Sequence, residues 1–122
     1  STFGGNPVCS AAALATLNLV ESSYLDNARQ RGEQLKAGLD QLAEAHPHLS
    51  DVRGLGLMVA VDVVNAGTPN PQRRDAIVQG AFKRGLLLVG CGRSAVRFCP
   101  GLCVTAAEIT TALRIFTQVC AE

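Results

Sequence analysis

From Pro7 to about Glu21 the sequence is apolar on nearly every side of a helix, and this limits the possible folds more than any other feature. Ala11, Ala12, Ala13 and Ala15 favour helix, while Val8, Leu14, Leu17, Leu19 and Val20 spread around its circumference. A helix that is hydrophobic all round must be buried on several sides. A chain of 122 residues supports one domain with a real core, but it cannot easily enclose such a helix as well. The expectation is that a larger body or a partner subunit covers it.

The seven residues before and at the helix start suggest why it is placed there. Ser1-Thr2-Phe3-Gly4-Gly5-Asn6-Pro7 combines two hydroxyls, a diglycine and a helix-start signal. Asn6 suits the N-cap, and Pro7 suits the first helical position, where its missing N–H costs nothing. Hydroxyls and free N–H groups beside a helix start suit an anion, phosphate especially. The sequence opens on this stretch with Ser and not Met. It reads as a fragment or a processed chain, with the groups that would complete such a site outside it.

Further along, Ser22-Ser23 offers a break and a fresh N-cap for a second helix from about Tyr24 to Ala45. Leu25, Ala28, Leu35, Leu39 and Leu42 form its inner stripe, and Pro47 ends it. Asp51–Gly56 reads as a short extended piece. Leu57–Val64 reads as a strand, with Met58, Ala60, Asp62 and Val64 on one face and Leu57, Val59, Val61 and Val63 on the other. A helix from Pro71 to Arg84 carries Ile77, Val78, Ala81 and Phe82 inward. Strands at Leu86–Val89 and Ala95–Cys99 flank a turn. Thr105-Ala106-Ala107-Glu108 is a capping box opening a last helix with Ile109, Leu113, Phe116 and Val119 on one side. The order predicts an α+β unit: a short, mainly antiparallel sheet covered by helices.

Composition excludes several functions. The formal charge of +1 and the absence of a basic stripe argue against nucleic acid; Arg29/Arg31 and Arg73/Arg74 read as solvated helix faces. No apolar run approaches the ~20 residues of a membrane span, so no membrane partner is expected. Five cysteines, an odd number at irregular spacing, argue against a disulfide framework and fit a cytoplasmic protein. Cys99 and Cys103 have no second pair, and His46 and His48 have no ligand partners, so no metal site is expected. Gly54-Leu55-Gly56 precedes a strand, the wrong context for dinucleotide binding, and reads as close backbone packing or a bulge. No hydrolytic triad or paired carboxylates stand out. The two lysines, Lys36 and Lys83, lie on polar helix faces and do not look like catalytic amines.

Arg97 is the remaining candidate. It interrupts an apolar strand between Val96 and Phe98, just before Pro100-Gly101. Its planar fork suits a carboxylate; the alternative is a strand arginine facing solvent or paired with an acidic neighbour.

These segments resemble a family. The run Ser-Thr-Phe-Gly-Gly-Asn-Pro-Val-Cys-Ser-Ala-Ala-Ala-Leu-Ala-Thr-Leu from Ser1 resembles the segment after the catalytic lysine in class III pyridoxal-phosphate aminotransferases. Val52-Arg-Gly-Leu-Gly-Leu-Met, Arg84-Gly-Leu-Leu-Leu-Val-Gly-Cys-Gly and Val96-Arg-Phe-Cys-Pro-Gly-Leu-Cys-Val-Thr resemble later parts of the same enzymes, in the right order. The resemblance implies the small C-terminal domain of an aspartate-aminotransferase-like fold. Residues 1–21 would end the large domain's cofactor loop and form a connecting helix, with 22–122 as the small domain. It implies pyridoxal 5'-phosphate as cofactor, with Thr2 donating its hydroxyl to the phosphate held by the other subunit of a homodimer and Ser1 beside it. Arg97 would receive a substrate carboxylate. Amino-acid and 2-oxo-acid substrates follow, with 4-aminobutyrate-like donors most resembled and acetylornithine and ornithine close behind. The family's cofactor-holding lysine lies upstream, so no catalytic residue is expected here and the chain alone is expected to be inactive. Gly101 departs from the family by standing where a second proline is often seen, which loosens the turn after Arg97. The competing expectation is a non-catalytic interaction module that keeps this fold and docks through its first helix.

Overall fold

The computed structural model describes residues 2–122; Ser1 lies outside the described residues. Helix α1 spans Pro7–Leu19 and starts as its sequence dictates: Asn6 Oδ1 accepts the Cys9 N–H at 3.0 Å, and Pro7 opens the first turn. The expected break at Ser22-Ser23 does not occur. Instead a π turn, Val20–Tyr24, carries the chain without interruption into α2, Leu25–Ala45. Both serine hydroxyls donate back to the Leu19 carbonyl, at 3.4 and 3.1 Å, so they serve the helix from within and do not cap a new one.

The result is one continuous helix over Pro7–Ala45, 39 residues long. By length and composition alone it could cross a bilayer, since an 18-residue window reaches a mean hydropathy of 1.2. The sequence expectation missed this by treating the helix as two. None of α1 is buried: Val8 is 79% exposed and Leu14 64%, and α1 touches no other element than the π turn. The burial that its composition demands is not supplied by the described residues.

Helix α2 turns Gly32, Leu35 and Leu39 into the core. Leu25, expected inward, is exposed, and Gly32 was missed. The reason lies across the contact. The hairpin of β1 (Leu49–Leu55) and β2 (Met58–Asn65) turns at Gly56-Leu57, where Gly56 adopts φ 52° and points its carbonyl at Gly32. A Cβ on Gly32 would overlap that carbonyl, so only glycine permits the approach. The close-packing expectation for Gly54–Gly56 holds.

The sheet order is β1-β2-β5-β4, with β3 (Thr68–Pro69) paired to β2; all pairs are antiparallel. Strand β4 is Val89–Cys91 and β5 is Ala95–Phe98. The expected strand at Leu86–Val89 therefore begins later. Leu86–Leu88 is an unpaired connector after helix α3 (Pro71–Lys83), with the Leu86 N–H donated to Ala81. Phe82, expected inward on α3, is exposed. Arg74, expected in solvent, has a side chain only 14% exposed; it lies under β4 and donates to the Cys91 carbonyl at 3.3 Å.

Helices α2, α3 and α4 (Ala106–Cys120) cover one face of the sheet. The core joins Leu35 and Leu39, Val59, Val61, Val63, Val96 and Phe98, and Ile109, Phe116 and Val119. The capping box forms in full, with Thr105 and Glu108 bonded reciprocally. The Thr105 N–H and hydroxyl hold the Glu108 carboxyl below its ordinary pKa. Burial pushes the Cys120 thiol up to about 12, which makes it an inert packing group.

His48, in the turn entering β1, yields a pH prediction. Its ring meets His46 edge-on at 5.4 Å, and its Nε2 is buried without a partner. Burial first, then Arg73 and His46, lowers its pKa from the ordinary 6.5. The folded state therefore prefers the neutral ring. Stability from this residue is complete above pH 6.5 and is lost as pH falls below that value. Thermal unfolding midpoints should drop as pH is lowered from about 7 to about 5. The slope should flatten in His48→Gln, and an equal slope in that variant would remove His48 as the cause.

Candidate functional site

No further helix packs on the opposite face of the sheet among the described residues, although Ala95 on that face is buried. Alternation along β5 sends Val96 and Phe98 into the core, which leaves Ala95 and Arg97 on the other side. Arg97 pairs in register with Ala60 on β2 and Val89 on β4. Neither neighbour is acidic. The guanidinium makes no ion pair among the described residues, and its Nε is buried with no hydrogen-bond partner. A half-buried cation with an unsatisfied donor is a costly arrangement in a finished protein. Of the two sequence readings, pairing with an acidic neighbour is therefore removed.

A second arginine shares this face, and sequence reasoning did not single it out as part of a site. Arg53 on β1 pairs in register with Ala60, so one cross-sheet row runs Arg53, Ala60, Arg97, Val89. Unlike Arg97, Arg53 has acidic partners. Its Nη1 donates to the Asp51 carbonyl and carboxylate and its Nη2 to Asp62 Oδ1, each at 2.9 Å. The hydrogen bond that Arg53 donates to Asp62 raises its pKa further. The available signal was the strand alternation that places Asp62 on the same face as Ala60. What was missing was the partner strand.

Thr2 is exposed in the turn ahead of α1, and no hydrogen bond to its hydroxyl is formed within the described residues. Helix α1 is about 20 Å long and stands clear of the sheet, so the chain does not bring Thr2 to Arg97. Ser1 lies outside the described residues. Lys36 is held by Asp40 at 2.9 Å, and Lys83 sits at the exposed end of α3. No cluster of three or more His, Cys, Asp or Glu side chains that could hold a metal occurs among the described residues.

Three grooves stand out among the described residues, and Arg97 lines none of them. One, of about 480 Å³, is an apolar cleft between the Leu86–Leu88 connector and the start of α4. Another, of about 600 Å³, lies between α2 and the Gly54–Gly56 turn. The third, of about 270 Å³, lies between α3 and the end of α4. The open face bearing Arg97 is not among them. A carboxylate could reach Arg97 there, and a second wall would be needed to enclose it.

Comparison with known proteins matches the chain to part of several longer enzymes. An acetylornithine aminotransferase of Nostoc sp. is 42% identical over 99% of this chain, which covers 28% of that protein. A 4-aminobutyrate aminotransferase of Escherichia coli is 37% identical over 96% of the chain and 29% of its own length. A Bacillus anthracis aminotransferase structure superposes with a TM-score of 0.91 at 26% identity, covering 99% of this chain and 29% of that one. A lysine aminotransferase from M. tuberculosis gives 0.86 at 33% identity, over 98% of this chain and 27% of that one. The chain thus spans less than a third of the length of these relatives, and it superposes on solved enzymes with α1 included. The model of the aminotransferase class-III family matches residues 1–120, and the chain belongs to that family.

Proposed function

We propose that the chain is the carboxylate-gripping part of a pyridoxal-phosphate transaminase that moves an amino group from an ω-amino acid to a 2-oxo acid. The observation that carries this is Arg97, a half-buried guanidinium on an uncovered sheet face with no internal partner. A fork-shaped cation held on a strand accepts a carboxylate through two parallel hydrogen bonds, which fixes the direction as well as the position of the substrate. The reacting amine at the far end of an ω-amino acid is then presented at a set distance from the anchor.

The residues present fit only one end of the cofactor. Thr2, exposed with a free hydroxyl beside a helix N-terminus, can donate to a phosphate, and Ser1 would sit next to it. No lysine here is free and sheltered enough to hold the cofactor. When bound, pyridoxal phosphate supplies the electron sink for proton transfer at the carbon bearing the amine. Because Thr2 stands at the far end of α1 from Arg97, the two serve different sites most simply across the interface of a homodimer. The uncovered apolar surface of α1 then packs within the enzyme and not in a bilayer. Residues 1–21 would form the end of the large domain's cofactor loop and the connecting helix, and 22–122 the small domain. Five free cysteines suit a cytoplasmic setting.

The test uses borohydride reduction after incubation with pyridoxal phosphate. The 122-residue chain alone is expected to take no stoichiometric label and to show no turnover. The longer protein is expected to take one label, outside these residues, and to transfer amino groups to 2-oxoglutarate. A site-specific adduct on Lys36 or Lys83 with turnover would overturn the assignment.

A further inference from the structure

The open face holds one carboxylate that could silence Arg97 from within, and the fold disposes of it. Asp62 follows Ala60 by two positions on β2, so it lies on the same face, diagonal to both Arg53 and Arg97. Diagonal neighbours on one sheet face sit roughly 7–8 Å apart, within reach of an arginine. Asp62 thus has two arginines to choose from, one on each flanking strand. It pairs with Arg53 at 2.9 Å and not with Arg97.

Arg53 reaches this position only because β1 is irregular. Ser50 pairs with Asp62 and Arg53 with Ala60, so three steps along β1 match two along β2. The extra residue is a β-bulge. Without it Arg53 would fall opposite Val59, whose side chain lies in the core, since a one-residue shift reverses the face of every later side chain. The bulge carries Asp51 into the left-handed region at φ 48°, which residues other than glycine, asparagine and aspartate rarely adopt. Asp51 then holds the other terminal nitrogen of Arg53, through both its carbonyl and its carboxylate. An unusual backbone conformation thus sits at a place whose effect is to aim one guanidinium.

We infer that Arg53 is a positioning residue: by binding Asp62, with the Asp51 bulge behind it, it keeps Arg97 free to take the substrate's carboxylate. This rests on the assignment of Arg97 proposed above. Electrostatics gives the same direction. The face carries Arg53, Arg97, Asp51 and Asp62 and is formally neutral; removal of Arg53 leaves it at −1 around a site that must attract an anion.

The experiment uses the complete enzyme and reads both kinetics and binding: KM and kcat for an ω-amino acid, and calorimetric Kd for valerate, with n-butylamine as a substrate that lacks the carboxylate. Arg53→Met is expected to raise KM and Kd about tenfold or more, with KM for butylamine within about twofold of wild type. The double variant Arg53→Met/Asp62→Asn is expected to return both to within about threefold of wild type, because the competing carboxylate is gone. If Arg53→Met does not fold, Arg53→Lys keeps the charge but not the fork, and should show a shift of about threefold, again relieved by Asp62→Asn. A shift that Asp62→Asn does not relieve would make Arg53 a structural or direct ligand and overturn the inference, as would no shift at all. Arg97→Lys is measured alongside. If it too leaves valerate binding unchanged, the Arg97 assignment fails and takes this inference with it; if it weakens binding while the rescue fails, only the role of Arg53 is lost.

Discussion

Lysine in place of Arg97, in the complete enzyme, is expected to raise the KM of a carboxylate-bearing substrate and to lower kcat/KM by about tenfold or more. The charge survives the change, but the planar fork does not. A single-point ammonium on the same strand can attract the carboxylate without fixing its direction. The loss should therefore appear in kcat as well as KM, since a misdirected substrate presents its amine in the wrong place. A carboxylate-free amine, already poor, should respond little. Equal losses for both substrates would mean that Arg97 supports the sheet and not the substrate. Its neighbours Ala60 and Val89 give it nothing to hold within the sheet.

The largest effect on stability is expected at Phe116. Its side chain is fully buried, and its ring meets Phe98 edge-on with centroids 5.1 Å apart and planes at 82°. Phe116→Ala removes that contact and leaves a cavity between α4 and the sheet, at a cost of about 3–5 kcal/mol. For a protein whose whole stability is on the order of 5–15 kcal/mol, that is a large fraction. It should register as a fall in the urea midpoint with little change in slope, or as lost hydrogen-exchange protection in β2 and β5. Because Phe98 is the residue after Arg97, KM for the carboxylate substrate should rise in the same variant. A midpoint unchanged within error would show that the helices do not depend on this contact.

Much of the fold was legible in the sequence for local reasons. Asn6-Pro7, Thr105–Glu108 and the alternation through Val59, Val61 and Val63 are each decided by residues a few positions apart, and each formed as expected. The errors fell where distant contacts decide. Ser22-Ser23 read as a cap because serine favours caps, yet the hydroxyls found the Leu19 carbonyl and the helix continued. Leu25 and Phe82 fit the helical period but face outward, while Gly32 faces inward because a hairpin 24 residues away comes within backbone distance of it. Arg74 looked solvated until β4 was laid over it.

The site divides in the same way. Placing Arg97 on the face opposite Val96 and Phe98 needed only the period of a strand. Its lack of a partner, and the capture of Asp62 by Arg53, depend on which strands lie next to β2 and on one extra residue in β1. Strand period is a property of the chain itself, because successive side chains must alternate. Register and bulges belong to a pair of strands, and no single strand's sequence contains them. The residues of this chain thus determined its elements, their inner faces and the cation it offers; the assembled sheet decided which of two arginines was left free to use it.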